Sequence, residues 1–108
     1  MTDRELLELA AKAAGYPPEW KGAIKIAVDA PAYERKWNPL ADDGDALRLA
    51  VKLRIKITGH AARGATRALV CANAHDYQAL EFYEDEGFSA ARRAIVRVAA
   101  EIGKAMPE

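Results

Sequence analysis

Trp37 to Ile57, WNPLADDGDALRLAVKLRIKI, is the stretch of the sequence that decides the fold. It opens with Asn38-Pro39, which is typical of a turn. Acidic residues follow, and they suit the free amides and the positive dipole end of a helix N-terminus. Apolar spacing of three and four residues then predicts a helix over about 43–53. From Arg54 the pattern alternates, which predicts a strand that follows the helix within one or two residues.

The predicted helix has one apolar face and one polar face. Leu47, Ala50 and Val51 share a face at helical spacing, and we expect that face to be buried. Arg48 and Lys52 lie four residues apart on the side that faces water.

The carboxylates of Asp42, Asp43 and Asp45 also suggest a calcium or magnesium site. Counting from Asp42, however, a calcium loop needs glycine and glutamate at the positions where this sequence has Leu47 and Leu53. Capping of the helix N-terminus explains the acidic residues without a metal. No metal ligand is therefore assigned.

A second helix is predicted at the start of the chain, over about 2–14. Thr2 and Glu5 have the spacing of a capping box. Gly15 is suited to end the helix in the left-handed region, and Pro17-Pro18 cannot continue it. The apolar stripe consists of Leu6, Leu9, Ala10 and Ala13.

Between these helices the pattern is weaker. Gly22 to Asp29 predicts a strand, although a short helix beginning near Pro17 fits as well. The segment between Pro31 and Pro39 is predicted to be irregular.

The second half of the chain predicts a meander and a last helix. Gly59 to Gly64 is interpreted as a hairpin connection and Thr66 to Ala72 as a strand, followed by a turn at Asn73 to Asp76. Gln78 to Glu84 predicts either a third strand or a helical turn. Ser89 is the predicted cap of a helix over about 90–103, with a buried stripe of Ala91, Ile95, Val98, Ala99 and Ile102. Its arginines, Arg92, Arg93 and Arg97, are predicted to form a solvated face.

These elements predict a single domain, 1–108, of the α+β class. We expect a layered helix/sheet/helix sandwich with three helices and a small antiparallel or mixed sheet of three to four strands. The length of 108 residues allows a hydrophobic core without metals or disulfides. One cysteine and no apolar run of membrane-spanning length predict a cytoplasmic protein that does not enter a membrane.

Three segments resemble the phage ABA sandwich domain family, small proteins of tailed bacteriophages and prophages. Trp37 to Leu53 resembles the family's central signature, and ELLELAAKAA (5–14) and ARRAIVRVAAEIG (91–103) are similar to its two terminal segments. Together they cover about 40 of the 108 residues. The resemblance implies a layered helix–sheet–helix fold and a phage or prophage origin in a bacterial host. It implies no activity and no catalytic residues.

Residues with catalytic potential are few. Cys71 with His60 or His75 is one candidate nucleophile–base pair, but a cysteine within an apolar strand is more often an inert core residue. Both histidines are predicted to lie in turns, and their spacing to Cys71 is not that of a zinc site. The sequence contains no phosphate-binding loop and no nucleophile elbow, so no catalytic residue and no cofactor is assigned.

Charge is unevenly placed along the chain, although 16 basic and 16 acidic residues balance overall. Ala46 to His75 contains six basic residues and no acidic one, whereas Asp76 to Glu86 contains five acidic residues and no basic one. The candidate interaction surface is therefore basic and consists of Arg54, Lys56, Arg63 and Arg67. The favoured alternative is that these bases pair across strands with Glu81, Glu84 or their neighbours.

The predicted function is a phage or prophage accessory protein without enzymatic activity that binds another protein. One alternative is a nucleic-acid-binding module that uses the four basic residues, although aromatic side chains suited to base stacking are not interleaved with them. A more remote alternative is an enzyme that uses Cys71. Association into a homodimer through exposed strand edges is a further expectation.

Overall fold

The computed structural model describes residues 1–16, 23–26, 33–60 and 68–107. Within these residues the chain forms three helices, one two-stranded sheet and one three-stranded sheet. In chain order the elements are α1 (Asp3–Ala14), β1 (Ala23–Ile26), β2 (Tyr33–Lys36), α2 (Asp43–Leu53), β3 (Lys56–His60), β4 (Ala68–Ala74), β5 (Tyr77–Tyr83) and α3 (Phe88–Ala105).

Helix α1 begins and ends at the residues that its sequence predicts, although the Glu5 carboxylate accepts from the Thr2 hydroxyl and not from the Thr2 amide, as it would in a full capping box. The Glu5 amide donates to the Thr2 hydroxyl at 3.2 Å, and that hydroxyl donates in turn to the Glu5 carboxylate at 3.1 Å. Gly15 ends the helix in the left-handed region at φ 82°, and its amide donates to the last carbonyls of the helix. Pro17 and Pro18, which are predicted to prevent the helix from continuing, lie outside the described residues.

The connection from α2 to β3 contains one residue in a left-handed conformation. Arg54 has φ 57° and ψ 43°, and the Ile55 amide donates to the Ala50 carbonyl at 2.8 Å. This pattern closes the helix as a glycine would, although a side chain in this conformation costs roughly 1–2 kcal/mol. The predicted helix over 43–53 is confirmed, and the strand follows it after two residues, as predicted: Arg54 caps the helix and β3 begins at Lys56.

The larger sheet is an antiparallel meander in the order β3–β4–β5. Lys56 pairs with Asn73 and Asn73 with Gln78, so the first residues of β3 lie level with the start of β5. The strand prediction for Gln78 to Glu84 is confirmed, as Tyr77–Tyr83 forms β5. Gly59 and His60, predicted to belong to a turn, extend β3 because their backbones pair with Val70 and Leu69.

The smaller sheet pairs β1 with β2 in antiparallel fashion. Its first strand confirms the strand prediction for Gly22 to Asp29 over four residues, Ala23–Ile26. The prediction of an irregular segment after Pro31 is wrong at Tyr33–Lys36, which forms β2. The letters YERK carry no apolar alternation, so pairing with β1, and not local pattern, defines this strand. The competing short helix near Pro17 falls outside the described residues.

Helix α3 is the central element. It packs against β4 and β5 and contacts both α1 and α2. Its N-cap is Gly87 at φ 83°, without a side-chain cap, so the prediction that Ser89 caps it is wrong. Small residues allow α1 and α3 to approach closely: a Cβ added at Gly103 would lie 2.0 Å from the Leu9 carbonyl oxygen. The predicted α+β class, with three helices and a small antiparallel sheet in layers, is confirmed.

The buried face of α2 differs from the predicted one. Ala46, Leu49 and Ala50 are buried, whereas Leu47 and Val51 are 61% and 70% exposed. The helix is thus rotated by about one residue from the predicted orientation. Its orientation follows from Asp45, whose fully buried carboxylate accepts the Asn38 amide at 3.0 Å and fixes the first turn against the preceding segment.

Candidate functional site

The arginines of α3 do not form the solvated face that their spacing predicts. Arg92 donates to the Leu40 carbonyl and to Asp43 before and in α2, and Arg93 donates to Asp3 of α1 at 2.9 Å. The third, Arg97, donates to the Leu80 carbonyl at 3.1 Å and also to the Glu81 carboxylate in β5. Three side chains therefore bridge α3 to three different parts of the fold, and they are those of Arg92, Arg93 and Arg97. These cations hold the fold together and are not available as a binding surface.

The acidic residues before and within α2 have structural partners. The Asp42 carboxylate caps the helix by accepting the Asp45 amide at 2.8 Å. The buried Asp45 carboxylate accepts from Arg48 at 2.9 Å. Among the described residues no group of three histidine, cysteine, aspartate or glutamate side chains is arranged to hold a metal ion. Capping, as predicted, accounts for the position of Asp42.

Cys71 lies buried in the middle of β4, and its sulfur accepts a hydrogen bond from the Gln78 side-chain amide at 3.1 Å. His75 occupies the β4–β5 turn with φ 57° and is exposed, four residues further along the chain. At about 3.3 Å per strand residue this separates the two backbones by roughly 13 Å. The thiol is thus buried and held by a side-chain amide, which is the setting of a small core residue.

Two members of the predicted interaction surface, Arg54 and Lys56, lie next to each other at the junction of α2 and β3, and both are exposed. The other two, Arg63 and Arg67, lie outside the described residues. The alternative of cross-strand pairing with Glu81 or Glu84 is wrong for Lys56, because β4 separates β3 from β5 and Lys56 pairs with Asn73. Glu81 is on the other face of the sheet and pairs with Arg97.

We name the surface around Arg54 the basic corner, and it consists of Leu47, Val51, Arg54, Lys56 and Ile57. All five residues are exposed. Leu47 and Val51 are one helical turn apart, and the others follow the turn that ends α2. Ile57 is 41% exposed although it pairs with the fully buried Ala72, because α3 packs on β4 and β5. Within the described chain neither base of this corner has an ion-pair partner.

A second surface, the acidic corner, lies where β5 leads into α3 and consists of Phe82, Glu84, Asp85, Glu86 and Phe88. The two phenylalanines are 60% and 58% exposed. The Asp85 carboxylate accepts the Gly87 amide at 2.7 Å, whereas the described residues offer no basic partner to Glu84 or Glu86. An open cleft of about 540 Å³ runs beside this corner, with Phe82, Glu84, Asp85, Leu40 and Arg93 in its lining.

The two corners lie at diagonally opposite ends of the larger sheet. Through Asn73, Lys56 is level with Gln78, and Glu84 is six residues beyond Gln78. Six strand residues span about 20 Å. This distance exceeds the screening length of about 8 Å at physiological salt, so the charges of the two corners do not neutralise each other within one molecule.

The sequence pattern did not predict the exposed apolar residues of either corner. The helical spacing predicts that Leu47 and Val51 are buried. Phe82 lies in β5, and its sequence pattern does not indicate which face of that strand is exposed. The uneven distribution of charge along the chain was the available signal, since the basic run contains Arg54 and Lys56 and the acidic run ends with Glu84, Asp85 and Glu86. Arg54 and Lys56 were identified from it.

Among the helices of the described segments none combines the length and apolar character that crossing a membrane requires. The comparisons with known proteins found no matching family model, no matching curated protein and no matching solved structure.

Proposed function

We propose that this chain is a phage or prophage accessory protein without enzymatic activity, which acts in the cytoplasm of a bacterial host by binding another protein. The phage origin is supported by the resemblance of three segments to the phage ABA sandwich domain family. The nature of the genes that flank its coding sequence tests the origin, since phage genes cluster by task. Binding is supported by the basic corner.

The observation that carries the proposal is the exposure of apolar side chains near bases that have no ion-pair partner among the described residues. Leu47 and Val51 on α2 and Ile57 at the start of β3 are all exposed, and full burial of one such side chain contributes about 1.5–3 kcal/mol. Arg54 and Lys56 adjoin this group without an acidic partner in the described structure. An apolar centre with charges around it is the arrangement of a protein-binding surface.

The same features define the chemistry of the partner. Its surface presents apolar side chains that pack on Leu47 and Val51, and carboxylates around them that meet Arg54 and Lys56. Such charges at the periphery mainly raise the association rate and select the partner, while the apolar contacts supply affinity. Tyr16 holds Lys52 by a cation–π contact at 5.1 Å, so that lysine is already engaged.

Nucleic-acid binding through the same bases is the second candidate. Two exposed bases, for which the described part of the chain offers no acidic partner, favour it, because phosphates are bound by such groups. The side chains beside them are Leu47, Val51 and Ile57, which neither pair with phosphate nor stack on bases as aromatic rings do. Protein binding therefore explains more of the surface.

One pair of variants tests both candidates. We expect the immobilised wild-type protein to retain a specific partner from lysate of infected or lysogenic cells, and the variant Arg54→Glu, Lys56→Glu to lose it. The control Arg4→Glu, Lys104→Glu makes the same change in net charge at exposed positions away from the corner, and we expect it to retain the partner.

A gel shift at low salt on the same proteins separates the second candidate. Equal retention by the two variants, or no specific partner at all, contradicts binding of a protein at the basic corner. A nucleic-acid complex that only the Arg54→Glu, Lys56→Glu variant fails to form would establish the second candidate instead.

A further inference from the structure

The two corners complement each other in charge and in apolar character. Beside the bases of one lie Leu47 and Val51, and beside the acids of the other lie Phe82 and Phe88, all of them more than half exposed. We propose that the acidic corner of one copy docks on the basic corner of a second copy, so that the chain associates head to tail. This inference rests on the proposed function of the basic corner and names one occupant of it.

Complementarity of two surfaces, and not the acidic residues alone, carries the inference. Three of the described ion pairs join different elements, such as Arg92 with Asp43 and Arg93 with Asp3. Among the described residues Arg54 and Lys56 of the basic corner have no ion-pair partner, and neither have Glu84 and Glu86 of the acidic corner. Other surface charges without such a partner, Asp76, Glu101 and Lys104 among them, do not adjoin two exposed apolar side chains of a corner. Each corner thus lacks what the other offers, and the apolar side chains between the charges supply the area that both would bury.

The register of the sheet excludes closure within one molecule. A separation of about 20 Å between Lys56 and Glu84 prevents the corners from meeting in a single copy. The pairing joins two different surfaces, so it is heterologous, and every docked copy keeps one corner free for the next. Association therefore continues beyond a dimer unless the assembly closes into a ring.

The edge of β5 favours docking through side chains over addition of a strand. Arg97 donates to the Leu80 carbonyl of β5 and binds the adjacent Glu81 carboxylate. A guanidinium at this position occupies a backbone acceptor that a pairing strand would use, which is one way in which proteins protect edge strands. The exposed groups beyond it are the side chains of the acidic corner.

Sedimentation velocity on the full chain tests the proposal with two variants. Arg54→Glu, Lys56→Glu reverses the charge of the basic corner. Glu84→Lys, Glu86→Lys reverses that of the acidic corner and leaves Asp85, whose carboxylate accepts the Gly87 amide, in place. We expect the wild type to associate beyond the dimer with rising concentration, and to do so at least about tenfold more weakly in high salt. Each variant alone should remain monomeric.

Mixing the two variants is the decisive step. The first variant then carries two acidic corners and the second two basic corners, so an equimolar mixture should associate in alternation although neither variant associates alone. Two control variants, Arg4→Glu, Lys104→Glu and Glu8→Lys, Glu101→Lys, make the same changes in charge elsewhere, and they should associate as the wild type does.

Three outcomes overturn the inference: a wild type that stays monomeric at all concentrations, a corner variant that still associates, or a mixture without a complex. A two-fold dimer that neither corner variant disrupts also overturns it. A monomeric wild type leaves the proposed function intact if lysate capture still depends on Arg54 and Lys56. Conversely, association that persists when capture fails contradicts the proposed function alone.

Discussion

The α1–α3 contact and the basic corner are both formed by amphipathic helices, yet they differ in how completely their apolar and charged side chains are packed or paired within the chain. At the first, backbones approach so closely that Gly103 has no room for a Cβ, and Asp3 pairs with Arg93 across the two helices. At the second, Leu47 and Val51 remain exposed, and the segments that the structure describes contain no ion-pair partner for Arg54 or Lys56. One contact is complete within the chain, and the other is open.

The difference shows that amphipathic pattern alone does not separate a core helix from a binding helix. Both helices have apolar residues at three- and four-residue spacing. What distinguishes the two regions is how much apolar surface stays exposed after folding. The helices are in close contact at Gly103, whereas Leu47 and Val51 at the α2–β3 junction are exposed. Such residual exposure, and not composition, identifies the surface on which a partner acts.

The largest effect is expected from the substitution Gly103→Ala in the closed region. The new methyl group would lie 2.0 Å from the Leu9 carbonyl oxygen, so the helices must separate. Overpacking of this kind costs about 1–3 kcal/mol or more, and we expect a drop in the free energy of unfolding of that size in urea denaturation.

A glycine-to-alanine substitution in β3, away from the α1–α3 contact, provides the control. At Gly59 in β3 a Cβ would meet nothing within 4 Å, so Gly59→Ala should change stability little or raise it by about 0.4–1 kcal/mol. If the two substitutions lowered the free energy of unfolding equally, close packing at Gly103 would not be the cause of the loss.

A smaller loss is expected from Arg97→Ala, which removes the bridge from α3 to β5. The substitution leaves the partly buried Glu81 carboxylate and the Leu80 carbonyl without their donor, at a cost of about 0.5–1.5 kcal/mol, because the Arg97 side chain is 42% exposed and water screens the pair. Thermal unfolding measures it, and a double-mutant cycle with Glu81→Gln isolates the pair.

Arg4→Ala is the matched control for this bridge. Its ion pair with Glu8 is exposed on both sides, so the loss should stay below about 0.5 kcal/mol. If the two arginines cost the same, the bridges of α3 contribute no more than an ordinary surface ion pair.

The smallest effect on stability is expected from Leu47→Gln, Val51→Gln on the open face of α2. Both side chains are more than 60% exposed, and glutamine is a good helix former, so the free energy of unfolding should change by less than about 0.5 kcal/mol. Self-association measured by sedimentation should weaken all the same. A large loss of stability would mean that these residues belong to the core.

Several elements of the fold follow from local chemistry and were predicted from the sequence. The capping box of Thr2 and Glu5, the left-handed Gly15 and the carboxylate of Asp42 mark helix ends through contacts with near neighbours in the chain. The alternation that predicts β5 likewise depends only on successive residues.

The remainder depends on contacts between distant residues. The rotation of α2 follows from the buried Asp45 and its bond to Asn38, and apolar residues on both candidate faces made the period ambiguous. The bridge from Arg93 joins residues 90 positions apart, which no local pattern encodes. Of the candidate surface, the sequence identified its bases through charge distribution but not the apolar side chains beside them.

The distance in sequence between α1 and its main partner has a consequence for biosynthesis. α1 is made before α3, and the residue that Asp3 binds is made 90 residues later. At about 5–20 residues per second this is a delay of roughly 5–18 s. Throughout that interval α3 cannot cover Leu6, Ala10 and Ala14, so the buried face of α1 waits for its main partner until α3 has been synthesised.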